Sequence, residues 1–211
     1  QGTLELVNHL PILQVMTPML IAPILVVLNN KTLSWLLSFL GALACLFISI
    51  LLIQAVSDGS ILTYYLGGWV PPIGIEYRID AANAILLFLI SIISAIVLIF
   101  SYSSLHAEIP EEKHTLFYSC FLLCLTGLLG VVATADIFNV FVFLEISSLS
   151  TYVLVAQGAY LDRRALSASF NYLIMGTIGA TFFVIGIGYI YMATGSLNMM
   201  DIAEIVCQIG D

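Results

Sequence analysis

The chain has 211 residues, of which 61 % are apolar and only 9 % charged, with a formal net charge of −8. A soluble domain of this size needs far more charge to cover its surface, so the composition excludes one and identifies an integral membrane protein. Its five Lys and Arg residues form no basic patch, which argues against nucleic acid as a partner.

A helix needs about 20 apolar residues to cross a bilayer. Six runs reach that length, near Leu10–Leu28, Leu33–Val56, Ala81–Ser103, Thr115–Thr134, Ile137–Gly158 and Leu166–Ala193. No charged segment precedes the first run, so no cleavable signal peptide is visible. Pro18 and Pro23 fall inside it and predict a kink, which membrane helices tolerate.

Between the second and third runs, residues 57–80 read as an external loop. Two β-prone stretches flank Pro71 and Pro72, and IEYRID alternates polar and apolar residues, so a short hairpin lying over the helix ends is expected. Glu76 and Arg78 share one face of that strand and are expected to pair, and Asp80 is placed to cap the third crossing. Cys120 and Cys124, one turn apart in the fourth run, lack His or acidic neighbours and read as small buried hydrophobes. No disulfide framework, metal site or bound redox cofactor is expected.

The fifth run, IFNVFVFLEISSLSTYVLV, holds the unusual residue. Of thirteen acidic residues, Glu145 alone lies deep in a crossing. Placing a carboxylate there costs about 2.5 kcal/mol or more on insertion scales. Desolvation and a basic neighbour push a carboxyl's proton affinity in opposite directions, and a group held between them can exchange its proton near neutral pH. Ser148 and Tyr152 share the Glu145 face. Ser147, Ser150 and Thr151 add hydroxyls that a lipid-facing helix does not use. Asp136 and Asn139 lie at the helix start, where Asp136 also suits the helix dipole. The bland alternative is a Glu145 locked in one interhelical hydrogen bond.

The sixth run carries Gly176, Gly179, Gly186 and Gly188, which read as helix-packing positions. Asn171 reads as the next most buried polar group, within reach of the fifth helix. Residues 198–211 read as an external amphipathic segment beginning near Asn198. Lys31, Lys113, Arg163 and Arg164 lie in odd-numbered loops, and Arg78 alone lies in an even one. The charge rule therefore puts the odd loops in the cytoplasm and both chain ends outside. No Lys, Arg or His lies deep in any crossing, so a relay through Glu145 needs a partner from beyond this chain.

TADIFNVFVFLEISSLSTYVLV resembles the fifth-helix signature of the antiporter-like subunits shared by Mrp-type cation/proton antiporters, membrane-bound hydrogenases and complex I. LGGWVPPIGIEYRIDAANAILLFLIS is similar to their second loop and third helix. RRALSASFNYLIMGTIGATFFVIGIGYIYMATGSLNMMDIAEI is similar to their sixth helix and the segment after it. Within that family the similarity leans toward the Mrp D subunits.

The resemblance implies an all-α integral membrane fold, with this chain as the N-terminal part of a fourteen-helix, antiporter-like whole. It places the family's essential glutamate on Glu145, and the partner lysine on a seventh helix that this chain lacks. Relatives often have Lys before Tyr in the sixth helix; Asn171 and Tyr172 stand there instead, so no ionic role carries over. The implied function is part of a proton path in a multisubunit cation/proton antiporter of a prokaryotic inner membrane, with sodium the expected cation. Expected partners are the other subunits, the lipid bilayer, protons and monovalent cations. Two rival readings are a truncated assembly subunit and a proton-pumping subunit of a redox-driven complex.

Overall fold

The structure, a computed structural model, describes residues 7–209. Six long apolar helices follow one another: α1 (Leu10–Leu28), α2 (Lys31–Val56), α3 (Ala81–Glu108), α4 (His114–Ala133), α5 (Ile137–Gln157) and α6 (Arg164–Thr194). All six are long and apolar enough to cross a bilayer. Each matches an expected run to within a turn or so. Helix α1 continues through Pro18 and Pro23 as a single helix. The chain is a multi-pass membrane protein.

Local chemistry sets the helix boundaries. Asn29 takes a left-handed conformation, with φ 43°, and ends α1. Its neighbour Asn30 then starts α2, its Oδ1 accepting from the Thr32 and Leu33 amides. Asp80 caps α3 as expected, accepting from the Asn83 amide at 2.8 Å. Such a cap is worth about 1 kcal/mol. Strands β1 (Leu62–Tyr65) and β2 (Glu76–Ile79) form the expected antiparallel pair, with Leu62 opposite Ile79 and Tyr65 opposite Glu76. The expected Glu76–Arg78 pairing is not made. Glu76 turns inward and accepts a 2.7 Å hydrogen bond from Asn198 Nδ2 instead.

Helix α4 is the centre of the bundle. Leu122, Leu125, Leu129 and Tyr118 are almost completely buried, and α4 packs against α1, α2, α3 and α5. Close approach to α5 depends on Gly130, whose missing side chain leaves room for the Phe143 ring; a Cβ there would overlap it. Several buried polar groups are paired across helices. Gln14 Nε2 donates to Ser91 Oγ at 3.1 Å, Ser119 Oγ to the Ala22 carbonyl at 2.9 Å and Trp35 Nε1 to the Leu98 carbonyl at 2.8 Å. Lipid offers no hydrogen bonds, so such groups bond within the bundle. The outer surface is apolar, with Val27, Phe100 and Met192 among its most exposed side chains, as a hydrocarbon environment permits.

The connections separate into two ends. Lys31 and Glu111 form an ion pair that joins the α1–α2 connection to the α3–α4 connection. At the other end, β2, residues 134–136 and residues 197–199 pair through their backbones. The Ala135 amide donates to the Glu76 carbonyl, the Ala135 carbonyl accepts from Met199, and the Ile137 amide donates to the Leu197 carbonyl, at 2.8–2.9 Å. His9 stacks edge-on against Tyr64 at this end. The short helix α7 (Met199–Ile209) starts where expected, with Asn198 Oδ1 accepting from the Met200 and Asp201 amides. Residues 210 and 211 of the expected amphipathic segment lie outside the described residues.

Candidate functional site

Helix α5 begins at Asp136, whose Oδ1 accepts from the Asn139 amide at 2.7 Å. Asn139 Nδ2 donates to Thr134 Oγ1 at 3.1 Å. Burial raises the Asp136 carboxyl above its ordinary proton affinity, and the amides of Asn139 and Phe138 oppose the shift. Burial likewise pushes the Tyr77 phenol up to about 12, opposed by its hydrogen bond to the Asn139 side chain. Asp136, Asn139, Tyr77, Glu76 and Asn198 thus form one polar junction at the hairpin end of the molecule.

Glu145 stands nine residues further on, about 13 Å along the axis at 1.5 Å per residue. It is half-buried and lines a cavity of about 270 Å³ between α5 and α6. Ser148, Phe141, Leu144, Gly176, Gly179 and Phe183 share that wall. The carboxyl meets no hydrogen-bond or ion-pair partner among the described residues; the ion pair found there joins Lys31 and Glu111. A carboxylate at membrane depth is costly unless a partner, water or a proton offsets its charge.

The structure therefore brings together only part of the expected set. Glu145 and Ser148 share the cavity. Asp136 and Asn139 belong to the separate junction. Tyr152 is buried against α6, with its phenol seated on Gly176, its ring edge-on to Tyr172 at 4.9 Å, and its carbonyl accepting from Ser169 Oγ at 2.7 Å. Asn171 is a correction: it is exposed, and Ser169 makes the polar contact to α5 in its place.

The hydroxyl-rich half of α5 faces protein, as expected. Ser147 and Thr151 lie 3.8 and 3.5 Å from Cys124 Sγ on α4. The glycine expectation holds at Gly176 alone, since a Cβ at Gly179, Gly186 or Gly188 would meet nothing within 4 Å. Phe141 and Phe183, stacked at 6.5 Å, are cavity residues that sequence reasoning missed. Their only signal was an aromatic one turn before Glu145 and another one turn after Gly179. All four cysteines are free. Among the described residues, no group of three or more His, Cys, Asp and Glu side chains is placed to hold a metal.

Residues 134–210 match the family described as NADH:quinone oxidoreductase/Mrp antiporter, TM. Over 94 % of its length the chain is 39 % identical to the N subunit of NADH-quinone oxidoreductase from Desulforudis audaxviator, covering 39 % of that protein. It is 30 % identical to the D subunit of the Na(+)/H(+) antiporter from Alkalihalophilus pseudofirmus, over 93 % of this chain and 39 % of that one. The structure of the membrane-bound sulfane sulfur reductase, an archaeal respiratory membrane complex, superposes with a TM-score of 0.81 at 32 % identity, over 94 % of this chain and 39 % of that one. The Mrp complex of Dietzia sp. DQ12-45-1b superposes with a TM-score of 0.80 at 21 % identity, which shows a shared fold; it covers 96 % and 39 % of the two chains. The resemblance to antiporter-like subunits therefore holds, with both N and D names among the relatives. The chain spans about two fifths of the length of these relatives.

Proposed function

We propose, for a chain similar over almost its whole length to antiporter-like membrane subunits, that it forms the N-terminal part of an ion-translocating subunit in a multisubunit cation/proton antiporter. Sodium is the expected cation, and the hairpin end faces the outside of a prokaryotic inner membrane. Glu145 takes and releases the proton. Ser148, three residues on in the same cavity, offers a hydroxyl that orders water or a cation beside the carboxyl. Asp136 and Asn139 tune access from the outer side. The cationic partner that Glu145 lacks here comes from the remainder of a longer protein, and the other subunits of the complex cover the open face of α6. The observation that carries this reading is an acid at membrane depth, opening into a cavity, with no protein partner. The antiporter names among the relatives support it.

A second reading, a proton-translocating subunit of a redox-driven complex, is favoured by the 39 % identity to an NADH-quinone oxidoreductase subunit. It uses Glu145 in the same way and differs only in the energy source.

Glu145→Gln, made in the full protein within its complex, tests both. Cation-driven proton movement in membrane vesicles should fall by about 100-fold, the scale of a lost proton-transfer group, with assembly unchanged. Undiminished exchange with normal assembly would favour a scaffold role. Loss of assembly would return Glu145 to a purely structural one. Proton movement that follows an electron donor and ignores the cation gradient would select the redox-driven reading.

A further inference from the structure

Of the four glycines on helix α6, one lies in close contact with the fifth helix. At Gly179, Gly186 and Gly188 a side chain would meet open space, whereas at Gly176 the first carbon of one would run into the Tyr152 hydroxyl. Tyr152 is gripped from three positions on one face of α6. Ser169 bonds its carbonyl at 2.7 Å, Tyr172 meets its ring at 88°, and Gly176 receives its phenol oxygen. The spacing 169, 172 and 176 is that of a single helical face. On α5, Tyr152 lies seven residues beyond Glu145, on the same face and about 10 Å along the axis. Gly176 is at once the seat of Tyr152 and part of the wall of the Glu145 cavity.

We infer that the Tyr152–Gly176 contact is the spacer that sets the gap between α5 and α6, and with it the space available at Glu145. The two are positioning residues for ion exchange, and this inference rests on the reading of Glu145 given above. Adding one carbon at Gly176 pushes the helices apart or displaces the phenol. Removing the hydroxyl makes room for that carbon, because the next ring atom stands 3.0 Å from it, a distance a small ring shift relieves.

The test is a rescue series in the full protein, in membrane vesicles, with the native cysteines replaced and Ser148→Cys as a reporter labelled by a methanethiosulfonate reagent. Gly176→Ala should change the labelling rate by about tenfold, as overpacking at a close contact does. The pair Gly176→Ala with Tyr152→Phe should return it to within about twofold of Tyr152→Phe alone, as expected for two residues that couple directly. Without the reporter, the pH profile of exchange should move with Gly176→Ala and return in the double variant. If Gly176→Ala does not assemble, Tyr152→Ala empties the seat and should alter labelling in its place. Labelling that ignores these changes, or a double variant no nearer to Tyr152→Phe than Gly176→Ala is, would overturn the spacer. Labelling that responds while Glu145→Gln exchanges normally would leave the spacer standing and remove its link to exchange.

Discussion

The α1–α4 bundle and the α5–α6 pair are made of the same kinds of residue and behave differently. Of an apolar 18-residue stretch of the fourth crossing, 56 % is buried; of the corresponding stretch of α6, 6 % is. The bundle joins some of its polar groups across helices, as Gln14 Nε2 does with Ser91 and Ser119 with the Ala22 carbonyl, while Gln14 Oε1 and Ser38 Oγ are left without a described partner. Among the described residues, the pair gives its one deep acid no partner and leaves most of its glycines facing open space. The contrast follows from what each helix packs against: α4 has helices on several sides, whereas within the described residues α6 is packed along α5.

Substitutions that move the same chemistry between the two regions sharpen this contrast. The largest effect is expected at the bundle centre. Leu122→Ala should lower stability by about 2–5 kcal/mol, as truncation of a buried Leu does, read as thermal unfolding in detergent. Phe182→Ala, on a side of α6 that no described residue covers, should change it by less than about 0.5 kcal/mol in this chain by itself. Equal losses at the two sites would mean that α6 is as tightly held as α4.

Glycine gives the next test. Gly130→Ala drives a carbon into the Phe143 ring and should destabilise by about 1–3 kcal/mol. Gly186→Ala meets nothing and should be neutral or stabilising by up to about 1 kcal/mol through helix propensity.

A change of similar size is expected at the junction between the regions. Asn198→Ala leaves buried Glu76 without its donor and should cost about 1–3 kcal/mol; rescue by Glu76→Gln is not expected, because the amide would also lack a partner. The smallest effect depends on pH. Burial raises the Asp136 carboxyl in the folded state. Its favourable contribution is therefore fully present below the ordinary carboxylate pKa and is lost as pH rises through the raised folded value. Asp136→Asn keeps the cap and removes the titration. It should be the more stable protein at neutral pH, with the gap closing on acidification. A gap that widens in acid would reverse the sign.

How far the sequence reveals all this follows the range of the forces involved. Local signals were legible: the six apolar runs, the Asp80 and Asp136 caps, the start of α7 after Asn198, and the depth of Glu145. Long-range pairing was not. Glu76 and Arg78 lie on one strand face, so nearest-neighbour logic joins them. The chosen partner, Asn198, is 122 residues away and reaches Glu76 only because two loops meet. Asn171 misled in a similar way. A lone amide in an apolar run reads as buried, yet among the described residues α5 is the long helix packed along α6, and Asn171 is exposed. Tyr152 has the right periodicity to face the Glu145 cavity, but the absence of a side chain at Gly176 draws it into α6. A hole is invisible in a sequence until the two helices that form it are placed side by side.

The backbone seam through Glu76, Ala135 and Met199 has a mechanical consequence. It fastens α5 to α6 at one end, and the Tyr152 contact fastens them again past the middle, with Glu145 in the stretch between. A beam fixed at two points can bow but cannot swing. Any breathing of the chamber around Glu145 is then a flexing of α6 near Gly176 and Gly179, and its amplitude is governed by how stiff that short stretch is.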